Sequence, residues 1–296
     1  TSWTSLFLVK LNKFMISTII ATKNGEKYIA RAIHNALEQS VAVSNAKDSS
    51  QFSGFEIVVV SDGSTDNTAN IVRELALKDA RIRLIELVQN IGPGLARNLA
   101  ILGGNIKEEN SLIIPPITNQ FVAILDDDDL WQNPKKLENQ ITYFNANPNV
   151  VVAGAVKTEF TRENGEHLRW IINETDPQKI RANMLSYNPV ITSSVVFRTN
   201  IFREVGGFKP MYLAEDYDLW LRMGLYGDIS NVENADTIYT IREGGASKSR
   251  QIEMAQVVMR LAKEYRHQYP HFYRAYIKGV LRLMLVYWKL LKKRFV

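Results

Sequence analysis

Four consecutive aspartates, Asp126-Asp127-Asp128-Asp129, close an apolar run at 121–125. Adjacent carboxylates repel one another, so a folded chain tolerates such a run best beside a cation. Alternate residues of an extended chain point the same way, which lets Asp126 and Asp128 converge. Hard oxygen ligands in low number suit Mg²⁺ or Mn²⁺ held partly by the phosphates of a ligand. A solvated acidic turn with one aspartate capping a helix is the plainer account. Emergence of the run from a buried-type strand favours the cation.

Three further clusters carry polar chemistry. Thr22-Lys23-Asn24 follows a β-branched run at 16–20, and Asp62-Gly63-Ser64 follows another at 55–60. Asp62 reads either as a carboxylate accepting from a base N–H of a nucleotide or as an Asx turn into the next helix. Thr22 and Asn24 carry the same two readings. Glu215-Asp216-Tyr217-Asp218 opens a helical pattern. Acids in a first turn complement the helix dipole, and one of them can also serve as a general base. The dipole holds such an aspartate weakly basic. A weak base suffices where the acceptor hydroxyl loses its proton late.

The elements that position these clusters alternate strand and helix through the first two-thirds of the chain, which predicts an α/β fold with a mostly parallel sheet. Strand patterns stand at 16–20, 55–60, 82–87 and 121–125; helical spacing follows at 28–37, 71–76 and 94–102. Pro134 is expected to open the next helix, where an N1 proline is tolerated. Beyond 150, strands are expected at 150–156, 195–198 and 237–242, a helix at 216–226, and two long helices at 251–268 and 271–292. Stretches 44–54 and 103–120 read as surface insertions. Ligands of parallel sheets bind beyond the carboxyl ends of the strands, where Thr22, Asp62 and the aspartate run all fall.

Composition removes several chemistries. The chain has no cysteine, so disulfides, zinc–thiolate sites and cysteine nucleophiles are excluded, in keeping with a reducing compartment. Neither G-x-x-x-x-G-K-[ST] nor G-x-G-x-x-G occurs. The four histidines make no H-E-x-x-H, and His267 and His271 read as surface residues. The net charge of +5 conceals an asymmetry. Residues 248–296 hold twelve Lys/Arg against two Glu, which leaves the body with 24 basic and 29 acidic side chains. No stretch reaches the ~18 apolar residues that a spanning helix needs. The opening residues have no clear small-residue cleavage site, and 1–14 are expected to be an extension ahead of Met15.

Taken in order, the motifs resemble those of the family 2 glycosyltransferases. Ile19-Ile20-Ala21-Thr22-Lys23-Asn24 is similar to the family's first-strand signature, with Ala21 and Lys23 where Pro and Tyr are usual. Val58-Val59-Val60-Ser61-Asp62-Gly63-Ser64-Thr65-Asp66 resembles its nucleotide-binding turn, with Ser61 in place of a common Asp. Asn90-Ile91-Gly92, Ala96-Arg97-Asn98, the stretch 125–130 and the block 215–222 match in turn. The likeness covers about 15–245. It implies a GT-A fold: a mostly parallel, Rossmann-like sheet flanked by helices, with a catalytic domain at 15–245. The nucleotide-sugar half would be 15–149 and the acceptor half 150–245, followed by a basic helical tail at 246–296.

The resemblance further implies an inverting, metal-dependent transfer of a sugar from a nucleoside-diphosphate sugar, a UDP-sugar in first place, to a hydroxyl of a glycan or lipid-linked acceptor. Thr22, Asn24 and Asp62 would contact the nucleotide; Arg97 and Asp127 would line it and its ribose. Asp128 would sit on a Mn or Mg ion with Asp126 in support, and Asp216 would be the base with Glu215 beside it. Many members carry a His shortly after the last strand, where this chain reads Arg242-Glu243-Gly244-Gly245. Glu243 is the candidate substitute. Polysaccharide or glycolipid synthesis for the cell envelope is the expected setting.

Two other function classes bear on the same residues. A catalytically silent sugar-nucleotide-binding scaffold would not need both the aspartate run and Glu215-Asp216. A sugar-phosphate nucleotidyltransferase would have a glycine-rich first loop, and 22–27 holds one glycine. In the tail, apolar residues interleave with Arg274, Lys278 and Arg282 and end on Lys292-Lys293-Arg294. That pattern predicts an interfacial helix on an anionic membrane surface through 271–296, with the protein cytoplasmic and peripheral. No nucleic-acid module is present.

Overall fold

The computed structural model describes residues 16–41, 54–106, 112–211, 213–242 and 250–294, with side chains placed except at 112 and 289–294. The expected N-terminal extension, most of the 44–54 insertion and Glu243 lie outside the described residues.

A seven-stranded sheet forms the centre. Its strands are β1 (Ile16–Thr22), β2 (Phe55–Asp62), β3 (Ile82–Leu87), β6 (Phe121–Ile124), β8 (Val150–Ala155), β11 (Val196–Arg198) and β12 (Asp228–Val232), in the order β12-β8-β11-β6-β1-β2-β3. Every neighbouring pair is parallel except those that β11 makes with β6 and β8. A sheet covered on both faces demands apolar residues on both, which is why its strands read as unbroken β-branched runs. The period of two sorts them. Val58 and Val60 join a core on one face with α3 (Pro93–Leu102), α7 (Glu215–Met223) and α8 (Gln251–Glu264). Ile57 and Val59 join a core on the other face with α1 (Ile29–Leu37), α2 (Thr68–Lys78) and α4 (Lys136–Ala146).

The remaining elements serve the rim. A second sheet has the order β10-β9-β13-β7, from β7 (Leu130–Trp131), β9 (Lys157–Arg162), β10 (His167–Ile172) and β13 (Thr237–Ile241). Its strands are short, and the hairpin β9–β10 has no counterpart in the sequence pattern; nor does β12 of the central sheet, whose Asp-Ile-Ser-Asn-Val interrupts the apolar run. The stretch 103–120 is also more than a loop, since β4 (Gly104–Ile106) and β5 (Leu112–Ile114) pair as an antiparallel ribbon. Helices α5 (Pro177–Asn183) and α6 (Thr199–Glu204) and the 3₁₀ turn Thr192–Ser194 complete the body. Helix α4 begins at Lys136 rather than at Pro134. Asn133 builds a turn ahead of it, its Oδ1 accepting from the Lys135 N–H at 2.9 Å and its carbonyl from the Lys136 N–H at 3.0 Å. Pro134 therefore sits inside that turn.

The C-terminal pair, α8 and α9 (Phe272–Arg294), packs against the body through Leu261, Ala262, Tyr265 and Ala275. The Tyr265 hydroxyl donates to Asp218 and that of Tyr269 to the Leu221 carbonyl, so α8 and the residues after it are tied to α7. Among the described residues no helix is long and apolar enough to cross a membrane.

Candidate active site

Strand order reverses at β1, which has β2 on one side and β6 on the other. The crevice at the carboxyl ends of these strands is where such sheets take ligands, and the structure places Thr22 and the aspartate run there. Thr22 Oγ1 donates to Asp127 Oδ2 at 2.5 Å, joining the ends of β1 and β6 directly. Gly25 leaves room for that contact: a Cβ there would collide with both Asp127 Oδ2 and Thr22 Oγ1. Asn24, at a left-handed φ of 51°, accepts from the Thr65 N–H at 2.9 Å and so fastens the first loop to the second.

Each aspartate of the run has a different partner. Asp126 accepts from Arg97 Nη2 at 2.5 Å. Asp127 pairs with Arg242, whose Nε also faces Asp128. Asp129 is 1% exposed and accepts from Ser193 Oγ at 2.5 Å and from the Thr240 N–H at 2.7 Å, which pins the run to the second sheet. Burial pushes the Asp127 carboxyl up against the pull of Arg242. Asp128 rises to about 7, first through burial and then through the charge of Asp126. Asp129 rises well above the usual carboxylate range for the same reasons, burial first.

Asp62 ends β2 at the same crevice, but its carboxylate is engaged by the protein itself. Its carboxylate accepts from Asn90 Nδ2 at 2.7 Å, the Ile91 N–H at 2.8 Å and the Gly92 N–H at 2.9 Å. It organises the loop entering α3, which explains why two separate sequence motifs meet here.

Asp216 lies in the first turn of α7, half-buried, and accepts from Thr192 Oγ1 at 2.6 Å and Asn188 Nδ2 at 2.9 Å. Ala214, directly before the acidic pair, holds a left-handed φ of 57°, a strained conformation for a residue with a Cβ. Asp218 is fully buried and bound by Arg222 at 2.8 Å, Lys209 at 3.0 Å and the Tyr265 hydroxyl at 3.1 Å. Of the two aspartates, Asp216 alone is open enough to meet a ligand.

Two connections bring Asp216 and the aspartate run into one site. The turn Thr192–Ser194 holds Asp216 through Thr192, while Ser193 accepts from the Asp126 N–H at 3.1 Å and donates to Asp129. Its carbonyl accepts from Trp131 Nε1 at 2.7 Å, which fixes the turn. Arg97, 4% exposed, spans from Asp126 to Glu215, 3.9 Å from the latter. Glu215 is pushed up to about 7 by burial and by the neighbouring Asp216 charge. Thr192, Ser193, Asn188, Tyr28 and Thr240 carried no signal in the sequence, because each acts through a contact tens of residues away. Arg242 was visible as the residue at the end of a strand, but its carboxylate partners were not.

The donor set suits a hard divalent cation. Asp126, Asp127, Asp128 and Glu215 face the guanidiniums of Arg97 and Arg242, and the Asp126 charge adds to burial in raising Asp128. Among the described residues no group of three or more potential ligand side chains converges on one point. Two carboxylates with the rest supplied by phosphate and water is nonetheless an ordinary arrangement for Mg²⁺ or Mn²⁺.

Residues 17–206 match the family described as Glycosyl transferase family 2. The amylovoran biosynthesis glycosyltransferase AmsE of Erwinia amylovora is 29% identical over 190 residues; the match takes in 64% of this chain and spans 65% of that relative's length. Two solved structures share the fold. TarS 1–349 of S. aureus, in complex with UDP-GlcNAc, superposes with a TM-score of 0.59 at 22% identity, covering 90% of this chain and 70% of that one. The mannosyltransferase PcManGT of Pyrobaculum calidifontis, with GDP-Man and Mn²⁺, does so at 0.59 and 18%, covering 92% and 74%.

Proposed function

The chain belongs to Glycosyl transferase family 2, and from that footing we propose that it is an inverting, metal-dependent glycosyltransferase using a nucleoside-diphosphate sugar. The observation that carries the reading is the joining of the aspartate run to Asp216 by Arg97 and by the turn Thr192–Ser194. Transfer needs an anionic leaving group held beside a base for the acceptor, and the nearness of the two acidic clusters supports that division of roles.

In this reading Asp216 takes the proton of the acceptor hydroxyl as its oxygen bonds to the anomeric carbon. The bond from that carbon to the diphosphate breaks with the electron pair leaving on the diphosphate, so the configuration inverts. Thr192 and Asn188 hold Asp216 in orientation. Thr22, Asn24, Asp62, Asp127 and Arg97 shape the nucleotide side, within a donor half at 15–149 and an acceptor half at 150–245. A Mn²⁺ or Mg²⁺ ion would be held by Asp128 with Asp126 in support and would neutralise the departing diphosphate. The donors named for TarS and PcManGT support a nucleotide sugar, with a UDP-sugar in first place, and the Mn²⁺ named for PcManGT supports a divalent ion. Amylovoran biosynthesis in AmsE supports a polysaccharide or glycolipid acceptor.

The test is a donor-hydrolysis screen across UDP- and GDP-sugars with Mn²⁺ and Mg²⁺. Release of nucleoside diphosphate from at least one donor, abolished by EDTA and restored by metal, is expected. No release from any donor would remove the catalytic reading, and undiminished release in EDTA would remove the metal.

Helix α9 supports a peripheral membrane setting on the cytoplasmic leaflet. Phe272 and Ala275 face the body, and Ile277, Leu281, Met284, Leu285 and Trp288 are each more than half exposed. Those five recur at helical spacing and form one stripe, with Lys278 and Arg282 along one edge and Arg274 at its N-terminal end. An apolar stripe beside cationic side chains matches an anionic lipid surface, where each Lys or Arg contributes about 1 kcal/mol. The protein should sediment with vesicles containing anionic lipid and be released by salt. Leu281→Glu with Leu285→Glu should abolish sedimentation; indifference to anionic vesicles at low salt rules the membrane out.

A further inference from the structure

Arg242 follows the last residue of β13 and reaches across the crevice to β6. Its guanidinium pairs with Asp127 and, through Nε, with Asp128. The Tyr28 ring lies under it, with Cζ 4.3 Å from the ring centroid, and the Tyr28 hydroxyl is itself fixed by Glu163. A second guanidinium, that of Arg31, donates to the Asp128 carbonyl at 3.1 Å. Arg242 is thus held between Asp127, the Tyr28 ring and Asp128, the carboxylate that the proposed reaction assigns to a metal ion.

A guanidinium stays protonated at any working pH and has no lone pair for a metal. Sharing Asp128 with a divalent ion would set two cations on one carboxylate, with Arg242 Nε already on its Oδ2. That crowding of positive charge disfavours the ion while no further anion is present. Both cations can be accommodated once a diphosphate supplies further negative oxygens, and a guanidinium binds such oxygens bidentately. We infer that Arg242 is a tethered cation which holds the metal site in the donor-free enzyme, so that a divalent ion enters with the nucleoside diphosphate and not before it. Arg242 then turns from the carboxylates to the diphosphate. This inference rests on the metal-dependent reading above and adds an order of binding to it.

The order has a mechanical consequence. A metal bound ahead of the donor would compete with Arg97 for Asp126 and with Arg242 for Asp128. A guanidinium in its place keeps Asp127 on Thr22 and the crevice shaped for the nucleotide. Binding of donor and metal become mutually dependent, and each raises the affinity of the other by the same factor.

Mn²⁺ binding, followed by the electron paramagnetic resonance signal of the free ion, tests this without reference to turnover. Full-length wild type, Arg242→Lys and Arg242→Gln would be titrated alone and with saturating UDP or GDP, after melting curves show each to be folded. Wild type and Arg242→Lys should bind Mn²⁺ at least tenfold more tightly with the nucleotide than without. Arg242→Gln should bind it at least tenfold more tightly than wild type when no nucleotide is present, so its dependence on nucleotide shrinks. Equal Mn²⁺ affinity of wild type and Arg242→Gln without nucleotide overturns the role of Arg242 and leaves metal dependence standing. Absence of Mn²⁺ binding from all three proteins, with and without nucleotide, overturns metal dependence and the inference together.

Discussion

Asp216→Asn is expected to lower sugar transfer by about 10²–10⁴-fold, the usual cost of removing a general base, while nucleotide affinity stays within a few-fold. The amide keeps the size of the side chain and can still accept from Thr192 Oγ1, so the first turn of α7 should hold its geometry. What is lost is the ability to take a proton. Asp218→Asn is the control, because it lies two residues along the same helix and its carboxylate is sealed from the crevice. It binds Arg222, Lys209 and Tyr265 with no exposed surface. Removing one partner of a buried pair strands the other, at a cost of about 3 kcal/mol. Asp218→Asn should therefore lower the melting temperature and leave kcat per folded molecule close to wild type. Steady-state kinetics and thermal melts on the two variants separate these effects. A larger kcat loss in folded Asp218→Asn than in Asp216→Asn would move the base to Asp218.

Much of this fold was legible because parallel strands buried on both faces must be apolar throughout. β1, β2, β3 and β6 announce themselves as runs such as Ile16-Ser17-Thr18-Ile19-Ile20. The hairpin β9–β10 does not, since its outer strand is almost entirely exposed and its side chains follow no burial pattern. The tail helices were legible from their spacing, although the first stops at Glu264 and not at 268. The site was legible only as far as one residue type at one strand end can carry meaning. Four adjacent aspartates at a sheet's ligand edge are such a case. The joints between them and Asp216 are not, because Arg97 is 29 residues from Asp126, Ser193 is 64 from Asp129, and Arg242 is 115 from Asp127. Nothing local marks a serine in a 3₁₀ turn as the link between the aspartate run and the turn that holds Asp216. Asp62 shows the opposite difficulty. Its two readings differ in which donors reach it, and the donors that do so in the fold belong to Asn90, Ile91 and Gly92.

Asp128→Asn should separate activity from stability in opposite directions. Transfer should fall by about 10²–10³-fold, as for loss of an electrostatic stabiliser of the leaving charge. The donor-free protein should at the same time become more stable. The Asp128 carboxyl is raised to about 7 in the fold by burial and by Asp126, against 3.8 for the unperturbed group. Between those values the folded chain keeps a proton that the unfolded chain has lost. Stability therefore declines as pH rises from about 4 to about 7, and the penalty is complete above that range. Asparagine carries no such penalty, and Arg242 retains Asp127 as a partner. At pH 8 the variant should be more stable by about 1–2 kcal/mol, a few degrees in melting temperature for a chain of this length. At pH 4 the difference should vanish, because the wild-type carboxyl is then protonated in the fold. Glu215, also raised to about 7, keeps part of the slope in the variant, so the pH profile should flatten without becoming level. A melt at each pH with no added metal or nucleotide decides the matter. If Asp128→Asn is less stable than wild type at pH 8, the run is not strained by its own charge, and the pairing of Asp128 with Arg242 outweighs the repulsion from Asp126.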